Sequence, residues 1–453
     1  MEMTQADKKA FDKELLALAL PLALQELLTA LVGASDALML GRLTQQSIAA
    51  VSLANQISFV MSLFTGSAVG AAGVLAAQYW GKKDYKNAKR FAGMAVRYSA
   101  GIALVFFLLA FFIPKTLMSF FTPEAELIEI GAQYLRVVSF SYLFMGLSRS
   151  YLMMMRISGF VSMTVKISAV TVIVDMIADF FLIYGIGPVP ALGAVGTAYS
   201  TIVVEILALV WCILWTRKRE NLHLDKDSLT YFSKAYEKDI WKIIPGMLAS
   251  ALAWGLSITA HSFIIGHMGT DATAAYSVTA VAQGLIQCVS QALGAASGIM
   301  IGHLLGANEL EKAKAYEKRF WKVCFLNGAV NLVLTAIIGV LVYVFYNLEP
   351  QAKSYLVKML IFMAFYMVAY CFNTIYTVGI FPAGGDSRYD AISVILATWC
   401  FAIPLALLGC FVFHWPVMVV FVVMCLDEIV KVPFIPLRNK KYIWLKNLTR
   451  DEA

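Results

Sequence analysis

The sequence predicts an all-α polytopic membrane protein, with twelve transmembrane helices arranged as two six-helix lobes. Three observations lead to that class. Of 453 residues, 60% are hydrophobic and only 14% charged, and the mean hydropathy is +0.74, far outside the range of soluble domains. The apolar residues gather into runs of roughly 20 or more, enough to cross a hydrocarbon core. The chain also matches itself at an offset of 225 residues, as from Gly73 to Gly298, Gly81 to Gly306, Tyr151 to Tyr376 and Gly159 to Gly384.

In chain order, the first six spans are expected at about Leu15 to Leu40, Ile48 to Trp80, Phe91 to Ile113, Ile128 to Met155, Val161 to Tyr184 and Leu192 to Trp215. The second six follow at about Ile240 to Gly266, Ala272 to Leu305, Phe320 to Tyr346, Tyr355 to Phe381, Ala391 to Phe413 and Val417 to Leu437. The expected division is an N-terminal lobe over 1–217, a polar cytoplasmic linker over 218–239, and a C-terminal lobe with a basic tail over 240–453. An even number of spans per lobe sets both lobes the same way up, with the substrate path between them.

Basic residues fall in alternate loops. Lys82, Lys83, Lys86, Lys89 and Arg90 follow span 2, Arg217, Lys218 and Arg219 follow span 6, and Lys312, Lys314, Lys318 and Arg319 follow span 8. The intervening loops hold little beyond Arg42, Lys115 and Lys353, while Arg438, Lys440, Lys441 and Lys446 follow span 12. The positive-inside rule therefore places both termini in the cytoplasm. On this reading the formal charge of +7 reports topology, and nucleic-acid binding is not expected. The first apolar run is a full span after a charged start, so no cleaved signal peptide is expected. The seven cysteines lie in apolar runs without paired spacing, which suits packing and implies neither metal nor disulfide.

Polar side chains inside apolar helices are costly and mark candidate sites. Asp36 lies near the outer end of span 1, where it is read either as an interfacial group paired with Arg42 or as part of an ion site. Span 5 favours the second reading, because Asp175 and Asp179 are four residues apart and share one helical face. Two carboxylates stacked in a low-dielectric bundle cannot comfortably both ionise, so the pair binds a proton or shares a cation. The repeat sharpens this, since Asp36 falls opposite His261, and Asp175 and Asp179 opposite Cys400 and Pro404. Gln25, Asn55, Gln56, Gln283 and Gln287, together with His261, are the candidate lining of a polar substrate cavity; Gln283, Gln287 and Gln291 form one stripe at a four-residue step. Helices can bend at Pro21, Pro245, Pro382 and Pro404, and of these Pro21 shares its helix with Asp36.

These residues carry a resemblance. The run SDALMLGRLTQQSIAAVSLANQI through spans 1 and 2, AAQYWGKKDYKNAKR after span 2, IIGHMGTDATAAYSV and GHLLGANELEKAKA in the second half, FPAGGDSR near residue 385, and Asp175, Asp179, Ile183 and Gly185 in span 5 resemble the multidrug and toxic compound extrusion (MATE) transporters over essentially the whole chain. The pattern is closer to the DinF-like branch. The resemblance implies a plasma-membrane antiporter of two six-helix lobes, with no cofactor and with H+ or Na+ as its coupling ion. In that branch the coupling site takes an acid from helix 1, an Asn and an Asp from helix 5 and a threonine from helix 6. Asp36 and Asp179 match the acids, Asp175 replaces the Asn, and Thr201, or Thr197, stands for the threonine. The possible sodium ligands are thus Asp36, Asp175 and Asp179. The NorM-like branch has a glutamate on helix 7, where this chain has Ala253, Trp254 and Gly255, so coupling is expected in the first lobe alone.

The expected function is export of small organic cations or other amphipathic molecules by a monomer in the bilayer. A flippase for a lipid-linked precursor is the alternative in the same superfamily, but it would carry extra helices or a basic cavity, and no basic stripe runs within these spans. The major facilitator fold is disfavoured because the loop GKKDYKNAKR lacks that family's Gly-x-x-x-Asp-Arg pattern. An enzyme would need a nucleophile with its base or a set of metal ligands, and His223, His261, His267, His303 and His414 are scattered without ligand spacing.

Overall fold

Apolar chain in a membrane must satisfy every backbone amide within the segment, which leaves the α-helix as the means of crossing here. A computed structural model describes residues 3–40, 43–185, 190–345 and 348–450; Arg42 and Tyr346 lie outside them. The first six long helices are α1 Gln5–Leu40, α2 Gln45–Gly81, α3 Tyr85–Phe112, α4 Ala125–Ile157, α5 Val161–Tyr184 and α6 Ala194–Arg217. The next six are α7 Lys234–Gly266, α8 Thr270–Gly306, α9 Leu310–Phe345, α10 Pro350–Ala383, α11 Ser387–Phe411 and α12 Val417–Lys431. Among the described residues there is no strand.

Ten of these helices are long and apolar enough to cross a membrane. The other two are α4, which carries Glu126, Glu129, Arg136, Arg149 and Arg156 along its length, and α12, which has only 15 residues before a short continuation at Phe434–Asn439. Several helices begin well ahead of their apolar runs, α1 at Gln5, α7 at Lys234 and α9 at Leu310. Side-chain caps fix some of these starts: Thr44 accepts from the Ser47 amide ahead of α2, and Asp84 from the Asn87 amide ahead of α3, each satisfying a first-turn donor.

The chain divides into two compact units. One is Leu27–Glu237, and the other joins Met1–Glu26 to Lys238–Ala453. The first part of α1 therefore belongs with the second unit, where Asp12 forms a two-pronged ion pair with Arg319 and Phe11 sits edge-on to Tyr316 and Phe320.

Within the unit 27–237, α2, α3 and α4 pack on one another, α6 packs on α4, and α5 on α6. Val51, Ala54, Met61, Tyr134, Leu135 and Tyr142 form its core. The polar stretch after α6 is strapped to α3: Lys89 pairs with Asp225 at 3.2 Å, Arg90 with Asp227 at 3.1 Å, and Arg97 donates to the Tyr231 carbonyl at 2.6 Å. Gly93 makes room for it, since a Cβ there would lie 1.9 Å from the Ser228 carbonyl oxygen. Asp225 caps the five-residue helix Lys226–Thr230. The Ser228 amide bonded to its carboxylate, helped by the Ser228 hydroxyl and Lys89, holds Asp225 down to about 2.

Within the other unit, α8, α10, α11 and α12 surround a core that includes Ile264, Ile286, Met359, Met367, Val420 and Met424. Two stretches of it are π-helical, Thr374–Ile380 in α10 and Ile395–Ala402 in α11. Each is followed by a proline, Pro382 and Pro404. Proline removes one i→i−4 donor and its ring crowds the carbonyl four residues back, and a single widened turn accommodates both effects. Gly379 lets the first widened stretch touch α8 backbone to backbone, because a Cβ there would lie 2.0 Å from Ser297 Oγ and 2.5 Å from the Gly294 carbonyl oxygen.

Candidate functional site

On α5, the buried residues beyond its first turn are Thr164, Ile167, Thr171, Asp175, Asp179 and Ile183. Their spacing of three and four traces one face of a helix, so the face that α5 turns inward is the face that carries both acids. Asp175 is 7% exposed and Asp179 1%. Asp36, near the end of α1, is half-buried and meets them: one carboxylate oxygen from each of Asp36, Asp175 and Asp179 lies within 4.8 Å of the others. Among the described residues this is the only cluster of three or more His, Cys, Asp or Glu side chains so arranged. The Tyr184 hydroxyl, at the end of α5, donates to the Met39 carbonyl at 2.9 Å and ties the two helices together beside the acids.

The hydrogen bonding of the triad is incomplete. Asp179 Oδ1 accepts from the Ser200 hydroxyl on α6, and Ser200 also stands beside Asp175. Asp36 Oδ1 and Asp175 Oδ1 are buried without a hydrogen-bond partner. Buried acceptors without donors are costly, and three carboxylates this close repel strongly in a poorly screened setting. A hard cation relieves both costs, because it takes oxygen ligands at roughly 2.3–2.6 Å, and oxygens spread over 4.8 Å can surround such an ion. Protons on one or two of the carboxyls would relieve them too. The donor set therefore fits either a proton or a sodium ion.

The remaining expected residues are placed as follows. The Thr201 hydroxyl donates to the Thr197 carbonyl at 2.8 Å, and it is the neighbouring Ser200 hydroxyl that donates to Asp179. Thr197 is buried and faces Tyr134, and Tyr134 donates to Asn55 Oδ1 at 3.1 Å. Asn55 and Gln56 are exposed on α2. Gln25, His261, Gln283 and Gln287 belong to the other unit, where Gln25 is buried, the other three are half-buried, and His261 Nε2 is buried without a hydrogen-bond partner. Lys166, nine residues before Asp175 on the same helix, is the nearest basic residue along it that could pair with these acids; it is exposed, and no ion pair joins it to Asp175 or Asp179 among the described residues. Glu205, four residues beyond Thr201 on α6, accepts from Ser148 at 2.9 Å and adds its charge beside Asp175, with Arg149 as a positive group near it.

Ser200 and Tyr134 are the site residues that sequence reasoning missed. In GTAYST, Thr197, Ser200 and Thr201 fall on one helical face by their three- and four-residue steps, so spacing alone did not single out Ser200.

A triad of this kind, inside a bundle of apolar helices, meets its relatives in sequence. The MatE family model matches residues 21–181 and 245–408. The chain belongs to the MatE family. Two similar proteins of Bacillus subtilis (strain 168) cover most of this MatE chain: the uncharacterized transporter YisQ is 24% identical over 409 residues, 88% of each chain, and the probable multidrug resistance protein YoeA is 25% identical over 397 residues, 85% of this chain and 84% of its own. A solved MOP superfamily transporter from Pyrococcus furiosus superposes with a TM-score of 0.86 at 16% identity, over 98% of this chain and 99% of that one, which shows the fold. Family membership makes this protein a multi-pass membrane transporter rather than an enzyme, and bacterial relatives of this kind fit a plasma-membrane location.

Proposed function

We propose that this MatE protein is a secondary antiporter that exports organic, mainly cationic, compounds against an inward flow of protons or sodium ions. The observation that supports this reading best is the triad of Asp36, Asp175 and Asp179, with oxygens within 4.8 Å of one another and two of them without hydrogen bonds. The naming of relatives such as YoeA as probable multidrug resistance proteins supports the substrate class.

In the proposed cycle the site is negative when it faces the cytoplasm and attracts a cationic substrate. Facing outward, it takes up the coupling ion. Neutralising the carboxylates removes their mutual repulsion and their attraction for the substrate, so the ion and the substrate occupy the protein in alternation. Both termini face the cytoplasm, and a monomer is the working unit. Asp175, where the DinF-like pattern has Asn, adds one negative charge to the site.

The test is gradient-driven efflux of a fluorescent organic cation from vesicles of known orientation, with a proton or a sodium gradient imposed separately. Asp36→Asn and Asp179→Asn are expected to abolish efflux while leaving expression intact, and the gradient that drives the wild type names the ion. Normal efflux in both variants sinks the mechanism.

A further inference from the structure

The sequence repeat assigns acids to the first half, yet the second unit has a buried charge cluster of its own. On α12, Asp427, Glu428 and Lys431 are each 6% exposed. Glu428 Oε1 pairs with Lys431 Nζ, and Glu428 Oε2 accepts from the Asn373 side-chain amide on α10. Asp427 Oδ2 accepts a long hydrogen bond of 3.4 Å from Thr398 on α11. Asp390 on α11 accepts from Ser250 on α7 and stands beside Thr377 on α10. Three acids thus surround one base, and among the described residues neither Asp427 nor Asp390 has an ion pair. A second feature points the same way: Asn373 is 2% exposed and its amide is aimed at Glu428, yet its Oδ1 is buried with no hydrogen-bond donor.

Burying three carboxylates against one ammonium is unfavourable unless the surplus negative charge is balanced, and ionisable groups within membrane helices mark ion or proton pathways by default. The balancing species here is a proton rather than a metal ion. The Lys431 ammonium already occupies the cationic position of the cluster, and the cluster does not bring three oxygens into the close grouping that the Asp36 triad shows. The other titratable side chains facing it are Tyr276 on α8, Tyr366 and Tyr370 on α10, Tyr389 on α11 and Cys425 on α12, all neutral groups at ordinary pH.

We propose that Asp427 and Asp390, arranged around the Lys431–Glu428 pair, form a second proton-exchanging site in the unit that lacks the acid triad. The step is a simple transfer: a carboxylate oxygen gains a proton from the aqueous phase, forming an O–H bond, and returns it to water. It turns Asp427 from an acceptor into a donor. Its contact Thr398 lies in the π-helical stretch of α11, and Thr377, beside Asp390, in that of α10, so each protonation changes a hydrogen bond on a widened turn, a feature frequent at functional sites.

Infrared spectroscopy of the full chain in lipid nanodiscs, titrated from about pH 5 to 9 to span the range in which buried carboxyls change state, reads this directly and does not depend on transport. In a background of Asp36→Asn, Asp175→Asn and Asp179→Asn, a protonated-carboxyl band equal to at least one group is expected to titrate, and to disappear when Asp427→Asn and Asp390→Asn are added. Thr398→Val, which leaves every charge in place, is expected to shift the frequency of that band, and it serves if the multiple variant does not fold. A background with no titrating carboxyl band, a band untouched by both sets of changes, or a band that responds to sodium at fixed pH would overturn the proposal. Loss of efflux with this band intact would bear on the antiport reading alone.

Discussion

The acids of the unit 27–237 and those of its counterpart are both buried, but they are balanced in opposite ways. Asp36, Asp175 and Asp179 face one another with no base among them, and the Ser200 hydroxyl donates to Asp179. Asp390, Asp427 and Glu428 enclose Lys431. The first arrangement has no counter-charge of its own among the three acids, which is why it is proposed to take up a proton or a sodium ion. The second carries one ammonium for its three carboxylates within the chain and, on the proposal above, meets the rest with protons. Electrostatics at a membrane site are thus set less by the number of acids than by whether a base is buried with them.

The largest expected effect breaks the comparison from the side of the second unit. Lys431→Met leaves Glu428 and Asp427 buried without their ammonium, which should cost about 3–5 kcal/mol of stability, read as a fall in thermal midpoint of the purified protein. Adding Glu428→Gln to Lys431→Met should recover most of that loss. No recovery would mean that Lys431 holds the fold in some other way than as a counter-ion.

Next in size is the response of the triad to losing its hydroxyl donor. Ser200→Ala leaves Asp179 with one fewer donor, an effect of about 1.5 kcal/mol at the low end of the usual range for a hydrogen bond to a charged group, and so roughly tenfold on coupling-ion affinity measured by calorimetry. Thr201→Val, whose hydroxyl only returns to the Thr197 carbonyl, should change that affinity less than twofold. The reverse order would make Thr201 the ligand. Asp175→Asn restores the Asn of the DinF-like pattern and removes one charge. It should retain transport while lowering by one the number of positive charges taken up per site, measured by electrogenic current against substrate flux.

The smallest effect lies outside the membrane helices, at the strap over α3. Asp225 is held down to about 2 by the Ser228 amide, the Ser228 hydroxyl and Lys89, against roughly 3.9 in an unfolded chain. Its contribution is therefore complete above about pH 4 and fades as pH falls through about 2. Proteolysis of residues 218–233 should be flat from pH 8 to about 5, and a change in that window would place the controlling charge elsewhere.

Much of this was legible in the residues. Asp175 and Asp179 announced a shared face by their spacing, and Thr171 and Ile183 on the same step show why: α5 buries one stripe, and the stripe contains the acids. Pro382 and Pro404 marked where α10 and α11 depart from regular helix, because a missing amide is a local fact of the chain. The polar starts of α1, α7 and α9 were not legible from hydropathy, since a helix that leaves the apolar layer keeps its backbone bonds but loses its apolar signature. The choice of Ser200 over Thr201 was not legible either, being a matter of how α6 is rotated against α5.

The amino-acid sequence by itself determined the class of the molecule, its long helices and its membrane setting, because burial in lipid fixes both the length of an apolar run and the helix that must satisfy its backbone. It also named the three acids of the first site, through local spacing and through the repeat they violate. Only the tertiary structure decided that Asp36 meets Asp175 and Asp179, that Ser200 serves them, and that Asp390, Asp427, Glu428 and Lys431, drawn from two helices, share one buried cluster. Those are long-range facts. They depend on which helix faces turn toward one another, and packing sets those rotations through side-chain shape across distant parts of the chain.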